Sequence, residues 1–415
     1  MLISPRGPSS ARQYWKVLHK LREGQLQVVS QIAECSVPPG DAVRGCVIDL
    51  YPNDVLCVRV WAGSSGFYNF CAHLNGDGDD ESILDRPFIG RLFQFGSFES
   101  FALTTKMGLP PKLLNQTPMP FWFKDQGAHA FKNMRTKQDD VVLSSGVKMG
   151  TTWCHRILYL LLHGCDQYGN LLPQENDVGA KGQCYPEGLT TQPEQNRSPL
   201  EQKMFGNLIF DDLLQQKGPR LFSTHLFGDK LPASLIAANG AGRLIIMVRN
   251  LKDTMCSLHY FRGEPKDGWL GNEHGCGTFE RFLSPDCTNA YGSIFYWLKQ
   301  NDQVAQALAP SQRVIVMCYE EIINDHAGEI ARLARFLGLD VSEQKLHAIV
   351  EATKFDCMKA EGRDGRLNNA DILLRKGGIG GWRDHLDVNH WEEFDRVCNE
   401  RLYNCELANR FLKYQ

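Results

Sequence analysis

Val141-Val142-Leu143-Ser144-Ser145-Gly146-Val147-Lys148-Met149-Gly150-Thr151-Thr152-Trp153 joins a short apolar segment, a glycine-bearing loop and the start of a helix candidate. The first five residues read as a buried strand. Residues from Thr151 to His163 are apolar on nearly every face and are closed by Gly164. A glycine loop that opens a helix presents unpaired backbone N–H groups at the positive end of the helix dipole, which favours an anion. Lys148 adds a cation there, and Thr151 and Thr152 add hydroxyl donors. The pattern is not a Walker A loop, G-x-x-x-x-G-K-[ST]. Only three residues separate Gly146 from Gly150, Thr151 stands where the lysine belongs, and the lysine lies inside the loop. Alone, such a segment reads as readily as a glycine-rich turn as it does an anion loop.

Further strand signals follow at Arg220-Leu221-Phe222-Ser223-Thr224, Leu244-Ile245-Ile246-Met247-Val248 and Val314-Ile315-Val316-Met317-Cys318. After the last, Ile330, Leu333, Ala334 and Leu337 recur at helical spacing, with Gly338 as the stop. Strand and helix alternating in this way predict an α/β fold with a central parallel sheet covered by helices. Ligands in such sheets bind at the carboxyl ends of the strands. Two long stretches rich in Gly, Pro, Asn, Asp and Gln, 166–199 and 263–277, read as surface loops that could shape an acceptor pocket.

The loop at Lys148 has cationic companions. Arg249 leaves the end of the third strand, and Ser257 follows eight residues on, about two helical turns into the next element. A guanidinium fork and a neutral hydroxyl suit one phosphate, although an isolated Arg at such a place is most often a surface ion pair. Near the C-terminus, Arg375-Lys376-Gly377-Gly378-Ile379-Gly380-Gly381-Trp382 combines adjacent cations with glycines that let a backbone approach an anion closely.

In order and in spacing these residues resemble the cytosolic sulfotransferases that use 3′-phosphoadenosine-5′-phosphosulfate (PAPS), over about residues 118–415. Lys148 to Trp153 resembles that family's 5′-phosphosulfate loop, Tyr-Pro-Lys-Ser-Gly-Thr-Thr-Trp. Arg249 to Ser257 resembles its 3′-phosphate element, and Tyr319-Glu320-Glu321 the Tyr-Glu-Asp after the fourth strand. Thr353-Lys354-Phe355 resembles the Thr-Ser-Phe beside the adenine, and Leu374 to Trp382 the Arg-Lys-Gly-x-x-Gly-Asp-Trp loop. Thr224-His225-Leu226 resembles Lys-Thr-His-Leu-Pro, whose histidine deprotonates the acceptor.

The resemblance implies a three-layer, P-loop-like α/β/α domain with a central parallel sheet, preceded by a small α+β extension. It implies His225 and Lys148 as catalytic residues. It implies donor contacts from Lys148, Met149, Gly150, Thr151, Thr152, Trp153, Arg249, Ser257, Tyr319, Thr353, Phe355, Arg375, Lys376 and Gly377. PAPS would be the donor and 3′-phosphoadenosine-5′-phosphate (PAP) the product, with a small-molecule hydroxyl or amine as acceptor. No metal is expected: the third strand ends in Arg249, and no carboxylate pair stands there to hold Mg²⁺. Trp153 and Phe355 would sandwich the adenine, while the cluster of Arg249, Ser257, Arg375 and Lys376 would select PAPS over ATP.

Several positions depart from the family pattern. Gly146-Val147 replace Tyr-Pro, Met149 replaces Ser, Ser223 replaces a lysine two residues before the histidine, and Gly381 replaces Asp. The family's dimer motif is only echoed, by Arg383, Asp387, Val388 and Glu392. The rival readings are a nucleotide kinase of P-loop type and a non-catalytic binding protein on a degenerate transferase body.

Bulk properties narrow the field. The 415 residues carry a formal net charge of −3, with a pI near 6.5, which argues against a general nucleic-acid binder. The 14 cysteines are scattered without CxxC pairs or zinc spacing. The first residues lack an apolar signal region, and the longest apolar run, Ile157 to Leu162, is too short for a bilayer, so a cytoplasmic setting with no membrane contact is expected.

Residues 1–112 have another texture. A helix candidate places Tyr14, Val17, Leu18 and Leu21 on one side. Gly45 to Trp61 then reads as two strands around Pro52-Asn53-Asp54. More loosely, this segment resembles the C-terminal half of the cap-binding translation-initiation factor fold, with Trp61 at the place of a cap-contacting tryptophan. The two stacking tryptophans of that fold's first half have no room here, and Asp49-Leu50-Tyr51 replaces its basic strand. A structural or docking role is the expectation, with no nucleic acid as partner.

Overall fold

The structure is a computed structural model. It describes residues 43–51, 55–62, 66–73, 112–114, 117–120, 122–173, 185–194, 197, 199–216, 218–262, 278–284, 290–363 and 374–414. The chain divides into two compact units, one of residues 1–110 with 270–277, the other of 111–269 with 278–415. In the first, β1 (Val43–Tyr51), β2 (Val55–Ala62) and β3 (Gly66–His73) form an antiparallel sheet in the order β1-β2-β3. β1 and β2 pair from Tyr51 opposite Val55 outward, so the expected two strands flank residues 52–54. β3 was not foreseen, and the helix candidate with Tyr14 and Leu21 lies outside the described residues.

The second unit opens with a short antiparallel pair, β4 (Lys112–Leu114) and β5 (Thr117–Met119). Its centre is a four-stranded sheet of β6 (Val141–Ser145), β7 (Leu221–Thr224), β8 (Arg243–Val248) and β9 (Val314–Cys318) in the order β7-β6-β8-β9. Every neighbouring pair is parallel. Apolar runs make β8 and β9, and apolar starts followed by small hydroxyl residues make β6 and β7, because both faces of a parallel sheet are covered.

Successive side chains leave opposite faces, and the packing follows. Val141, Leu143, Ile245 and Met247 join one core with Cys154, Ile157 and Leu158 of helix Thr151–Tyr159 and Ile330, Leu333 and Leu337 of helix His326–Leu337. Val142, Phe222, Leu244, Ile246 and Val248 join the other with Trp297 and Leu298 of helix Ile294–Leu308, together with Phe131 and Phe411. The result is three layers, α/β/α, as expected.

Helix His326–Leu337 shows how local signals set its limits. Asp325 caps it by accepting the Gly328 N–H at 2.9 Å, and Gly338 ends it with φ 70. The expected helix from Thr151 to His163 is instead α-helical to Tyr159 and then widens into a π-type turn, Leu160–Gly164. Gly164 permits this bend: a Cβ there would lie 2.7 Å from the Tyr159 ring. The stretch 166–199, read as loop, contains one helical turn at Pro186–Gly188 and runs into helix Pro199–Phe205. Residues 174–184 and 263–277 lie outside the described residues.

Candidate active site

The carboxyl ends of β6, β7 and β8 converge on one region. β6 delivers Ser145 and the loop to Gly150, which serves as N-cap of helix Thr151–Tyr159 with φ 102. Only glycine suits that position, since an added Cβ would stand 2.9 Å from both Met247 and Tyr319. Within the loop Lys148 is also left-handed, with φ 66. Its ammonium lies 4.5 Å from the centre of the Phe261 ring.

Arg249, at the end of β8, reaches across the loop. Its Nη1 donates to the Lys148 carbonyl at 3.2 Å and its Nη2 to the Gly378 carbonyl at 3.5 Å. The guanidinium rests 4.2 Å over the Tyr319 ring. Its Nε is buried without a hydrogen-bond partner among the described residues. Burial first, and then the charges of Arg249 and Arg375, lower the Lys148 ammonium to about 7. Three cations thus face one another at a glycine loop and a helix N-terminus, an arrangement that an anion would relieve.

The C-terminal glycine loop is held to the same helix. Asp253 on helix Leu251–Arg262 accepts the Gly380 N–H at 2.7 Å and the Trp382 N–H at 3.1 Å. Gly377, with φ 67, lies against Phe355, where an added Cβ would approach the ring to 2.9 Å. Arg375 lies 4.0 Å over the Tyr260 ring. Trp153 meets Tyr319 edge-on at 5.2 Å and donates its indole N–H to the Thr353 carbonyl at 2.8 Å.

His225, one residue beyond β7, is fixed on three sides. Its Nδ1 lies 2.8 Å from the Ser145 carbonyl, and its own carbonyl accepts the Trp297 indole N–H at 3.1 Å. Its backbone N–H donates to Glu187 Oε1 at 2.9 Å. The Tyr185 and Tyr291 rings stand 5.0 and 5.1 Å from the imidazole. Burial, with the Lys148 charge as a further cause, lowers its pKa to about 4, so the ring is neutral at ordinary pH. A carbonyl can only accept, so Nδ1 carries the proton and Nε2 keeps a lone pair, as a general base requires.

The structure therefore gathers Lys148, Gly150, Trp153, Arg249, Tyr319, Phe355, Arg375 and Gly377 around the two glycine loops, with Ser257 half-buried on helix Leu251–Arg262. The other residues expected at the donor have protein partners of their own. The Met149 side chain is fully buried in the core, and its N–H is taken by the Gly146 carbonyl at 3.2 Å. The side chain of Thr353 is also buried, bonded to the Ile349 carbonyl at 2.6 Å and to His326 Nε2 at 3.0 Å. It supports Trp153 through its carbonyl instead. Thr151 Oγ1 is engaged with Ser145 Oγ and Tyr185, while Thr152 stays half-buried. Lys376 is exposed and pairs with Asp384 at 3.0 Å.

Sequence reasoning missed Glu187, Tyr185, Tyr291 and Trp297. It also missed the buried pair that occupies the departure at Ser223, whose hydroxyl lies 2.7 Å from His155 Nδ1.

A parallel α/β sheet with an anion cradle and a neutral histidine at its carboxyl edge defines a group-transfer enzyme of nucleotide-binding type. The sulfotransferase domain family matches residues 138–406, and the chain belongs to that family. The chain is a sulfotransferase. Among curated relatives, cytosolic sulfotransferase 1 of Danio rerio is 28% identical over 299 residues, 67% of this chain and 88% of that protein. Amine sulfotransferase of Oryctolagus cuniculus is 26% identical over 291 residues, 65% of this chain and 83% of that protein. The crystal structure of a mouse sulfotransferase complexed with PAP shares the fold, with a TM-score of 0.52 and 21% identity, over 74% of this chain and 99% of that one. The cap-binding resemblance of residues 1–112 gains no support from these comparisons.

Proposed function

We propose that the chain transfers a sulfuryl group from PAPS to a hydroxyl or amine of a small-molecule acceptor, releasing PAP and the sulfated product. The observation that carries the residue assignments is the His225–Ser145 bond, which leaves Nε2 unprotonated beside the cationic loop. The unpartnered Arg249 Nε and the lowered pKa of Lys148 fit a polyanionic donor. PAPS supplies the activated sulfuryl group and a phosphate leaving group.

His225 Nε2 accepts the acceptor's proton as the new bond to sulfur forms, and Lys148 meets the negative charge that grows on the departing phosphate oxygen. As in phosphoryl transfer, positioning and electrostatics do most of the work. Arg249, Ser257 and Arg375 hold the 3′-phosphate, and Trp153 with Phe355 holds the adenine. The aromatic surroundings of His225, with Trp122 5.5 Å from Tyr185 and 6.2 Å from Tyr291, support an acceptor with an apolar body. The relative named for amines supports nitrogen acceptors as well as hydroxyls.

Residues 118–415 form the transferase, and residues 1–112 have a structural or docking role. A cytoplasmic setting is supported by the relative named as cytosolic and by the unpaired cysteines among the described residues, Cys154, Cys165, Cys256, Cys318, Cys357, Cys398 and Cys405. The test is transfer of ³⁵S-sulfate from PAPS to a panel of phenols, alcohols and amines without added metal. Labelled product is expected. Phosphorylation of the panel by Mg²⁺-ATP, with no label moved from PAPS, would overturn the reading.

A further inference from the structure

Glu187 is fully buried, on the one-turn helix Pro186–Gly188, and 38 residues separate it from the histidine whose N–H it accepts. Its oxygens are met by neutral donors. Oε2 accepts the Thr224 hydroxyl at 2.9 Å, while Oε1 accepts both the His225 N–H at 2.9 Å and the Tyr291 hydroxyl at 3.3 Å. One oxygen atom therefore joins the base to the aromatic residue that faces its ring.

That joint is held under strain. Tyr291 has φ 68, a left-handed backbone that a bulky residue adopts only when its surroundings impose it. Here the phenol hydroxyl is drawn onto Glu187 while the ring stands edge-on to the imidazole, centroids 5.1 Å apart. Opposite, helix Asp125–Asn133 approaches through Gly127, where an added Cβ would lie 2.2 Å from the carbonyls of Pro186 and Leu189. Lys124, just before that helix, donates its N–H to the Glu187 carbonyl at 2.8 Å, while its ammonium pairs with Glu194 at 2.7 Å and Glu201 at 2.9 Å.

We infer that Glu187 is the positioning residue of His225, its ionised carboxylate holding the end of β7 and Tyr291 in the geometry that aims Nε2 at the acceptor. The inference rests on the reading of His225 as base. A protonated carboxyl turns one acceptor site into an O–H donor among three donors, so protonation loosens the joint. Burial, opposed by the bonds from His225 N–H, the residue's own backbone, Thr224 and Tyr291, raises the Glu187 carboxyl to about 7. The titratable groups that face it are Tyr185 and Tyr291, both held neutral well above their ordinary range by burial and by its charge, and His225, with Lys148 beyond. Ionisation of Glu187 comes above about 7, so the turnover it supports is present there and is lost as pH falls through that value.

The test measures kcat and the KM for PAPS from pH 5 to 9, with the panel acceptor that the wild-type chain turns over fastest. Glu187→Gln should lower kcat roughly 10- to 100-fold with little change in the KM for PAPS, and should abolish the acid limb near neutrality. Tyr291→Phe removes a bond that favours the ionised carboxylate, so its acid limb should move to higher pH, which decides the matter if the Gln variant does not fold. In spectra of ring-¹³C-histidine protein, the His225 signal should shift near neutral pH in the wild type and not in Glu187→Gln. Wild-type kcat and pH profile in Glu187→Gln, or an unmoved limb in Tyr291→Phe, would overturn the inference while leaving sulfuryl transfer intact. A wild-type chain that moves no label would instead sink the function itself.

Discussion

His225 Nδ1 and the carbonyl oxygen of Ser145 lie 2.8 Å apart, a bond between the ends of two adjacent parallel strands, β7 and β6. Because the carbonyl is acceptor only, it sets the tautomer, and the same β6 residue that opens the glycine loop thereby orients the imidazole. The glycine loop and the imidazole are tied at a single residue.

His225→Ala should therefore lower kcat by roughly 10²- to 10⁴-fold while PAP binds as before. Steady-state kinetics, with calorimetry of PAP binding, checks this. Near wild-type turnover in a folded variant would mean that another group takes the proton.

Arg249→Ala should weaken PAPS far more than adenosine 5′-phosphosulfate, which lacks the 3′-phosphate. The loss of a charge-assisted contact is worth about 1.5–3 kcal/mol. Equal weakening of both nucleotides, measured by competition against PAP, would show that Arg249 does not read the 3′-phosphate.

Lys148 makes PAP affinity depend on pH. Burial and two neighbouring cations bring the free ammonium to about 7, and a bound anion should raise it again. Binding should therefore take up a proton above neutrality. Kd should climb towards tenfold per pH unit from about pH 7 until the pKa of the complex is reached. Calorimetry in buffers of different ionisation enthalpy reads the proton directly. A Kd that is flat from pH 7 to 9 would contradict this role.

Removal of residues 1–112 should leave PAP binding unchanged, since every proposed donor contact lies beyond residue 147. At 100 times its Kd, PAP should stabilise the truncated chain by about 2.7 kcal/mol without added metal. A truncation that keeps its circular dichroism but loses this shift would assign part of the site to the extension.

Much of this architecture was legible from local pattern. Val141 to Leu143, Leu244 to Val248 and Val314 to Cys318 are continuous apolar runs, and the stripe of Ile330, Leu333, Ala334 and Leu337 is buried as its spacing implied. The cations at 148 and 249 were readable because motif and strand end coincide, and Arg375 because it adjoins a glycine-rich motif. Glu187 was not, because its signal is one acidic residue in a glycine- and proline-rich stretch and its partners are distant in sequence. Tyr291 and Trp297 were hidden for the same reason. For Met149 and Thr353 the motif gives position in the chain but not burial: close packing turns both side chains into the interior, which no local spacing encodes. The break of helix Thr151–Tyr159 into a π-type turn depends on the Tyr159 ring against Gly164, a contact that apolar periodicity does not encode.

The left-handed backbone of Lys148 sets up a conflict between endurance and activity. A lysine there costs on the order of 1–3 kcal/mol relative to a relaxed conformation, and its charge is repelled by Arg249 and Arg375. Lys148→Gly would remove both burdens at once, and with them the cation proposed to meet the leaving group. Selection of random variants for heat resistance alone should therefore enrich this substitution and yield hardy, inactive protein, whereas selection for product formation should hold the lysine in place.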